Sequence, residues 1–214
     1  MAELQIIGAP LGNFVWACRI FCAEKGVPYT LVPVMAHAPE VEAIHPLGKI
    51  PAMRHGDVTL GESRAIIRYI DEVFPGPSLV PSDPVAGATC EQWVSIVSTA
   101  LDPVMLRQYL RGYLFPGTPD NSPNRAFIEP ALPVMEKQFA LLDRTIAATG
   151  YLAGDSFTLA DAYLAPILYY MSKPPESRAM LAKSAALAAY LDRQLGRKSI
   201  RETMPTTLPL ALQG

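Results

Sequence analysis

The stretch most suggestive of chemistry is Gly61-Glu62-Ser63-Arg64-Ala65, where a serine among small and charged residues follows a predicted strand and precedes a predicted helix. A serine on such a strand-turn-helix is typical of a hydrolase nucleophile. That arrangement requires a histidine base later in the chain, whereas His37, His45 and His55 all precede Ser63. The pattern therefore excludes this hydrolase and favours a helix start, with Ser63 as a capping hydroxyl beside an acid.

The other reactive side chains show no metal or nucleotide pattern. The three histidines lack the H-E-x-x-H spacing and have no paired cysteines beside them, so we predict no metal and expect these histidines in loops or at the surface. No phosphate-binding glycine motif occurs. Cys18 and Cys22 lie on the apolar stripe of a predicted helix, which favours buried, reduced thiols over a redox pair.

Composition describes a globular protein with nearly balanced charge. The 214 residues are 50% apolar and 18% charged, and the net charge is −2. Such a chain is able to form a sizeable core, and it lacks the basic clusters of a nucleic-acid or anionic-membrane binder. No apolar run reaches the ~18 residues of a membrane span, and the N-terminus lacks the basic start of a secretory signal. We expect a cytoplasmic protein that binds neither nucleic acid nor membranes.

The first third of the chain has the pattern of a small α/β domain. Strands are predicted over residues 4–7, 29–34, 52–54 and 58–60. A helix is predicted over residues 14–25 and another from Ser63, with Ile66 and Ile70 on its apolar stripe. Pro33 places the second strand at a sheet edge, because proline lacks the N–H that a central strand must donate.

The rest of the chain has a helical pattern after a linker at residues 77–85, which is rich in proline. Helices are predicted over residues 86–111, 125–148, 159–171 and 178–195, with kinks or boundaries near Pro103, Pro130, Pro133 and Pro166. Thr158 and Asp161 are spaced as a capping box that opens the third of these helices.

Three motifs in this order resemble the cytosolic glutathione transferase superfamily: Gly48-Lys49-Ile50-Pro51-Ala52, Glu62-Ser63-Arg64-Ala65-Ile66 and Phe157-Thr158-Leu159-Ala160-Asp161-Ala162. A further similarity, to the bacterial Ser-type and theta-like members of this superfamily, lies in Asn13-Phe14-Val15 with Arg19, followed by Glu24-Lys25-Gly26-Val27-Pro28-Tyr29. The resemblance implies a thioredoxin-like α/β domain with a mixed four-stranded sheet at residues 1–76. It also implies an all-α electrophile-binding domain at residues 86–214.

The resemblance further implies a glutathione site in the first domain. Its residues are His37, Lys49, Ile50, Pro51, Glu62 and Ser63. A cis Ile50-Pro51 bond would leave the Ile50 backbone free to pair with the cysteinyl backbone of glutathione. Ser63 and its helix N-terminus would bind the γ-glutamyl carboxylate, and Glu62 the ammonium. Lys49 and His37 would face the glycyl carboxylate, unless they are solvated loop residues.

The chain departs from the family pattern at the thiol. Relatives activate glutathione with a hydroxyl near the first helix, and the corresponding position is Gly12. The predicted catalytic residues are therefore Gly12, through the helix N-terminus that it opens, and Asn13, through its amide. We expect glutathione binding to be retained and conjugation of generic electrophiles to be slow.

The electrophile would bind an apolar pocket that carries no readable sequence code. The predicted pocket residues are Leu11, Phe14, Tyr109 and Tyr113. Tyr109, Tyr113 and the neighbouring Phe115 fit a core or an interface equally well.

The function predicted from the resemblance is a glutathione transferase that transfers the thiolate sulfur to a small apolar electrophile. A homodimer is also implied. Two alternatives stay open: a glutathione-dependent isomerase, dehalogenase or peroxidase, and a non-catalytic protein-binding factor similar to the starvation proteins.

Overall fold

The computed structural model describes residues 2–212, which form two compact units. The first unit continues to Leu79 and also includes Lys198–Thr206, whereas the second comprises Val80–Arg197 and the segment from Thr207. We predicted a division into residues 1–76, 77–85 and 86–214. The structure groups Lys198–Thr206 with the first unit, whereas the predicted helical domain included that segment.

The first unit contains a mixed four-stranded sheet, which confirms the predicted fold class. Its strands are β1 (Leu4–Ile7), β2 (Thr30–Val32), β3 (Ala52–His55) and β4 (Val58–Gly61). The strand order is β2-β1-β3-β4, with β1 parallel to β2 and antiparallel to β3, and with β3 antiparallel to β4. The edge position predicted for β2 is confirmed, and Pro33 follows the strand directly.

The helices of this unit are α1 (Asn13–Lys25), α2 (Pro39–Glu42) and α3 (Ser63–Val73). The predicted stripe of α3 is buried at Ile66 and Ile70, and Cys18 and Cys22 are fully buried in α1. Ile7 of β1, which is in register with Ala52 of β3, packs against α2 at Val41.

The segment that rejoins the first unit is helix α10 (Lys198–Thr203). The indole N–H of Trp16 donates to the Thr203 hydroxyl over 2.9 Å, and the Ser199 hydroxyl bonds the Glu24 carboxylate. Trp16 is fully buried, and the bond to Thr203 satisfies its indole N–H in the core. Both contacts join α10 to α1, which sequence periodicity does not reveal.

The second unit is helical, as predicted. Its helices are α4 (Pro84–Ile96), α5 (Arg111–Leu114), α6 (Arg125–Thr149), α7 (Leu159–Met171), α8 (Pro175–Ala182) and α9 (Ala185–Leu195). Two π-helical segments, Val97–Leu101 and Pro103–Leu110, occupy the region where we expected a kink at Pro103. The capping box of Thr158 and Asp161 is confirmed.

Pro130 and Pro133 do not mark a helix boundary, since α6 continues through both, and a kink at either residue stays a prediction. Pro130 and Pro133 lie inside the helix on its exposed side, so water is able to satisfy the carbonyls that lose a backbone donor.

One predicted helix, residues 178–195, is two helices. The N–H of Leu187 in the first turn of α9 donates to the Asp143 carboxylate over 3.0 Å. This contact from α6 stabilises a new helix start. No helix within residues 2–212 is long and apolar enough to cross a membrane.

Candidate active site

The N-terminus of α1 lies against the loop that precedes β3. Gly8 directly follows β1 with φ 151°, and a β-carbon there would lie 2.7 Å from Cγ2 of Val15 and 3.0 Å from Cβ of Ile50. Only glycine therefore permits this approach. Gly12 is the N-cap of α1 and offers no side chain to its first turn, while Asn13 is buried with 4% exposure.

The Ile50-Pro51 peptide bond is cis, which confirms the predicted geometry. Ile50 is half-buried, and Pro51 is buried. Within residues 2–212, the Ile50 N–H and C=O form no hydrogen bond. The Ile50 backbone is therefore available to pair with an extended peptide ligand.

The N-terminus of α3 is formed by two adjacent polar residues. Ser63 is the first helical residue with 8% exposure, and Glu62 is the N-cap. Our prediction of Ser63 as the capping residue was therefore wrong by one position. The Cys18 thiol donates to the Ser63 carbonyl with the heavy atoms 3.8 Å apart, which joins α1 to this turn. The helix terminus combines backbone donors and a hydroxyl, which suits a carboxylate.

His45 lies in a loop, as predicted, yet it is buried and contacts this site. The ring is buried with 3% exposure, and its Nε2 lies 3.2 Å from Oε1 of Glu62. The N–H of Leu47 donates to Nδ1 over 3.1 Å. The sequence carried no signal for this contact, because its partners lie 17 residues apart in different elements.

The two residues predicted for the glycyl carboxylate lie on exposed loops. His37 has φ 63°, and its Nδ1 lies 3.4 Å from the Glu42 carboxylate, with a side chain that is 70% exposed. Its N–H donates to the Gly48 carbonyl over 2.8 Å, which fixes this loop beside Lys49. Lys49 is exposed and has no charged partner among the described residues. A free ammonium there is able to bind an anion.

The four residues predicted for the electrophile pocket fall in different units. Leu11 and Phe14 flank Gly12 in the first unit and are half-buried. Tyr109 and Tyr113 lie in the second unit, Tyr109 with no exposed surface. Their contact with an electrophile stays a prediction.

Both tyrosines donate to Glu176. The Tyr109 hydroxyl is 3.0 Å from Oε2, the Tyr113 hydroxyl bonds the same oxygen, and Arg125 donates to Oε1 over 2.6 Å. Partial burial opposes ionisation, yet the hydrogen bonds from Tyr113 and Arg125 lower the pKa of Glu176 to about 2. Burial raises the pKa of Tyr109 to about 12, so it is a neutral donor. The sequence did not indicate this cluster.

The buried thiols behave as core side chains. Burial raises the pKa of Cys18 well above its ordinary value and that of Cys22 to about 12. Both thiols are therefore protonated at neutral pH, which agrees with the predicted inert, reduced state. The residues from 2 to 212 contain no group of three or more histidine, cysteine or acidic side chains placed to hold a metal.

Family models match both units. Residues 6–78 match the glutathione S-transferase N-terminal domain, and residues 125–193 match the glutathione S-transferase C-terminal domain. The chain therefore belongs to the glutathione S-transferase family.

Individual relatives agree with that membership. Glutathione S-transferase 3 of Zea mays is 33% identical over 98% of this chain and 96% of its own length. The crystal structure of the theta class glutathione S-transferase from Xanthomonas axonopodis pv. citri with glutathione bound is 26% identical. Its TM-score is 0.83, covering 98% of this chain and 100% of that one. A stringent starvation protein A homolog of Haemophilus ducreyi is 27% identical over 89% of this chain and 85% of its own.

The predicted superfamily and fold are confirmed by these matches. The narrower prediction of a bacterial Ser-type member has no support among them. At the position where we placed the activating hydroxyl of that type, this chain has Gly12.

Proposed function

We propose that this chain binds glutathione in its first unit and transfers the thiolate sulfur to a small apolar electrophile. The observation that carries the proposal is the unpaired Ile50 backbone at the cis Ile50-Pro51 bond, in the unit that also presents Glu62 and Ser63 at a helix N-terminus. A γ-glutamyl tripeptide has a backbone, an ammonium and two carboxylates that suit these groups.

Each end of glutathione has a proposed partner. The Ile50 N–H and C=O pair with the cysteinyl residue as a short added strand, which fixes the ligand's register. Ser63 and the first N–H groups of α3 bind the γ-glutamyl carboxylate, and Glu62 binds the ammonium on the same carbon. Lys49 and His37 bind the glycyl carboxylate at the other end.

The thiol is activated by backbone and amide groups in this proposal. A thiol of pKa ~8.5 is only a few per cent ionised at pH 7, and lowering it by two units requires ~2.7 kcal/mol. The positive end of the α1 dipole, at Gly12 and Asn13, supplies part of that stabilisation. Without a hydroxyl at Gly12 the thiolate fraction stays limited, so we propose slow conjugation of generic electrophiles.

The electrophile is proposed to bind beside the thiol, where Leu11 and Phe14 supply half-buried apolar surface. The proposal includes a cytoplasmic homodimer with a role in detoxification, which the family membership supports. It includes no nucleic-acid or membrane partner, in keeping with the charge balance.

Titration calorimetry with glutathione, followed by assays with chloronitroarenes, epoxides and hydroperoxides, tests this function. We expect saturable binding of one glutathione per chain and formation of a stable conjugate with at least one electrophile class. Turnover without a conjugate would instead indicate isomerase, dehalogenase or peroxidase chemistry at the same site. Absence of glutathione binding at millimolar concentration would overturn the proposal.

A second candidate is a non-catalytic, protein-binding member. It is favoured by the similarity to the stringent starvation protein A homolog and by the missing hydroxyl at Gly12. A chain that ignores glutathione in calorimetry and binds a large protein partner would belong to this class.

A further inference from the structure

Glu62 is the N-cap residue of α3, yet its side chain does not cap that helix. Its backbone lies at φ 64° and ψ 116°, outside the regions that non-glycine residues favour, and its carboxylate makes no capping bond to α3. Such conformations persist only where the surroundings hold them, and they concentrate at ligand sites. The contact that holds the carboxylate is therefore of functional interest, and it comes from His45.

The hydrogen bonds of His45 determine which ring nitrogen carries the proton. The Leu47 N–H donates to Nδ1 over 3.1 Å, so Nδ1 presents a lone pair. The ring proton then lies on Nε2, which donates to Oε1 of Glu62 over 3.2 Å. A neutral ring that donates in this way orients the carboxylate and leaves its negative charge intact.

Backbone hydrogen bonds and packing fix the position of the His45 imidazole. The backbone N–H of His45 donates to the Val41 carbonyl over 2.7 Å, and the His45 backbone carbonyl accepts from the Gly48 N–H over 2.9 Å. A β-carbon on Gly61 would lie 2.5 Å from Cδ2 of the ring. The ring therefore fills the space left by a glycine directly before Glu62, and packing fixes its orientation.

The two carboxylate oxygens of Glu62 have different environments. Oε1 accepts from His45, whereas Oε2 has no partner in the described part of the chain and belongs to a side chain that is 73% exposed. We propose that His45 is a positioning residue for glutathione recognition, holding Glu62 so that its free oxygen accepts from the γ-glutamyl ammonium. This inference rests on the proposed function, and it adds a residue that does not itself touch the ligand.

A pair of ligands isolates the role of His45. Glutathione carries the ammonium, whereas its deamino analogue, glutaryl-cysteinyl-glycine, lacks that group alone. Dissociation constants for both would be measured by calorimetry on the full chain and on His45→Phe, which keeps a ring and removes the donor. His55→Phe is the matched control, because His55 bonds the Tyr69 hydroxyl and, among residues 2–212, forms no hydrogen bond with Glu62.

We expect His45→Phe to weaken glutathione binding about tenfold and to leave the deamino analogue within about twofold, because only the ammonium uses the oriented carboxylate. His55→Phe should leave the ratio of the two constants unchanged. Equal weakening of both ligands by His45→Phe would overturn the inference, since His45 would then only shape the loop. A wild-type chain that binds neither ligand would overturn the proposed function itself.

Two further variants test the inference even if His45→Phe does not fold. His45→Gln retains an amide donor and acceptor, and it should lower the preference for glutathione less than His45→Phe does. In a Glu62→Gln background, where the ammonium loses its charged partner, the change at His45 should no longer alter the ratio. If the change at His45 still lowers the preference for glutathione as strongly in the Glu62→Gln background, His45 does not act through Glu62.

Discussion

Gly12 and Ile50 face each other closely, since a β-carbon on Gly12 would lie 3.4 Å from Cδ1 of Ile50. The same β-carbon would lie 3.1 Å from Cγ2 of Val15 and 3.2 Å from the Ala9 carbonyl oxygen. The backbone of Gly12, at φ −66° and ψ 119°, is open to any residue. A serine therefore fits here with small adjustments of its neighbours.

Gly12→Ser should raise kcat/KM for conjugation of a chloronitroarene about tenfold, because a hydroxyl donor stabilises the thiolate by about one pKa unit. Steady-state kinetics and ultraviolet titration of the bound thiol measure both quantities. Gly12→Ala adds the same β-carbon without the hydroxyl and should give no increase. An equal gain in the alanine variant would show that the gain comes from a stiffer backbone and not from stabilisation of the thiolate.

Asn13→Ala should raise the pKa of the bound glutathione thiol, because it removes a buried amide from the first turn of α1. Asn13→Asp keeps the shape and replaces the amide by a carboxylate, so it should raise that pKa further through charge repulsion. Thiolate absorbance against pH, at saturating glutathione, measures the shift. An unchanged titration in both variants would remove Asn13 from the activating groups.

Lys25→Met should lower the free energy of unfolding by about 3 kcal/mol, because it leaves Asp71 without its buried cation. The Lys25 ammonium lies 2.9 Å from the Asp71 carboxylate and 3.0 Å from the Gly76 carbonyl, and its side chain is 3% exposed. Lys198→Met is the matched control, since that side chain is 79% exposed and lies 3.7 Å from Glu202.

The control should change the free energy of unfolding by less than about 0.5 kcal/mol, because water screens the exposed pair. Urea denaturation of both variants at pH 7 gives the comparison. Similar losses from the two lysines would contradict a stabilising role for the buried contact.

Glu176→Gln should destabilise the chain by about 1–2 kcal/mol at pH 7 and progressively less at lower pH. The pKa of Glu176 is lowered to about 2 in the folded chain, against an ordinary value of 4.5. Its contribution is therefore complete above pH ~5 and is lost as the pH falls toward 2. Urea denaturation at several pH values follows the difference between variant and wild type.

Glu129→Gln is the control for that experiment. Glu129 pairs with the same Arg125 over 3.3 Å, yet its side chain is 66% exposed and neither tyrosine donates to it. At pH 7 it should show a difference below about 0.5 kcal/mol, because water screens the exposed pair. A difference for Glu176→Gln that persists undiminished at pH 2 would show that the loss does not come from its ionised carboxylate.

The three thiols should be unreactive in the native chain. Cys18, Cys22 and Cys90 are free and buried, and burial raises the pKa of each. We expect no reaction with a thiol-specific reagent at pH 8 and three equivalents after denaturation. Rapid modification of Cys18 or Cys22 in the native state would revive the redox interpretation.

Sequence reasoning was most successful where a pattern has a local cause. Gly26 ends α1 in the left-handed conformation at φ 74°, as its position after a charged turn indicated. Pro33 follows an edge strand, and Thr158 with Asp161 opens α7. It failed where a tertiary contact changes the local pattern, as at the start of α9, where the Asp143 carboxylate of α6 accepts from the Leu187 N–H.

By itself, the sequence predicted the order of the four strands, the helix between β1 and β2, the helix after β4 and the capping box that opens α7. Each depends on residue types at short spacing, which backbone sterics and periodic burial translate directly into structure. Only the tertiary structure decided that α10 returns to α1 and that His45 holds Glu62. Those contacts join residues far apart in the chain, so they depend on how the elements pack.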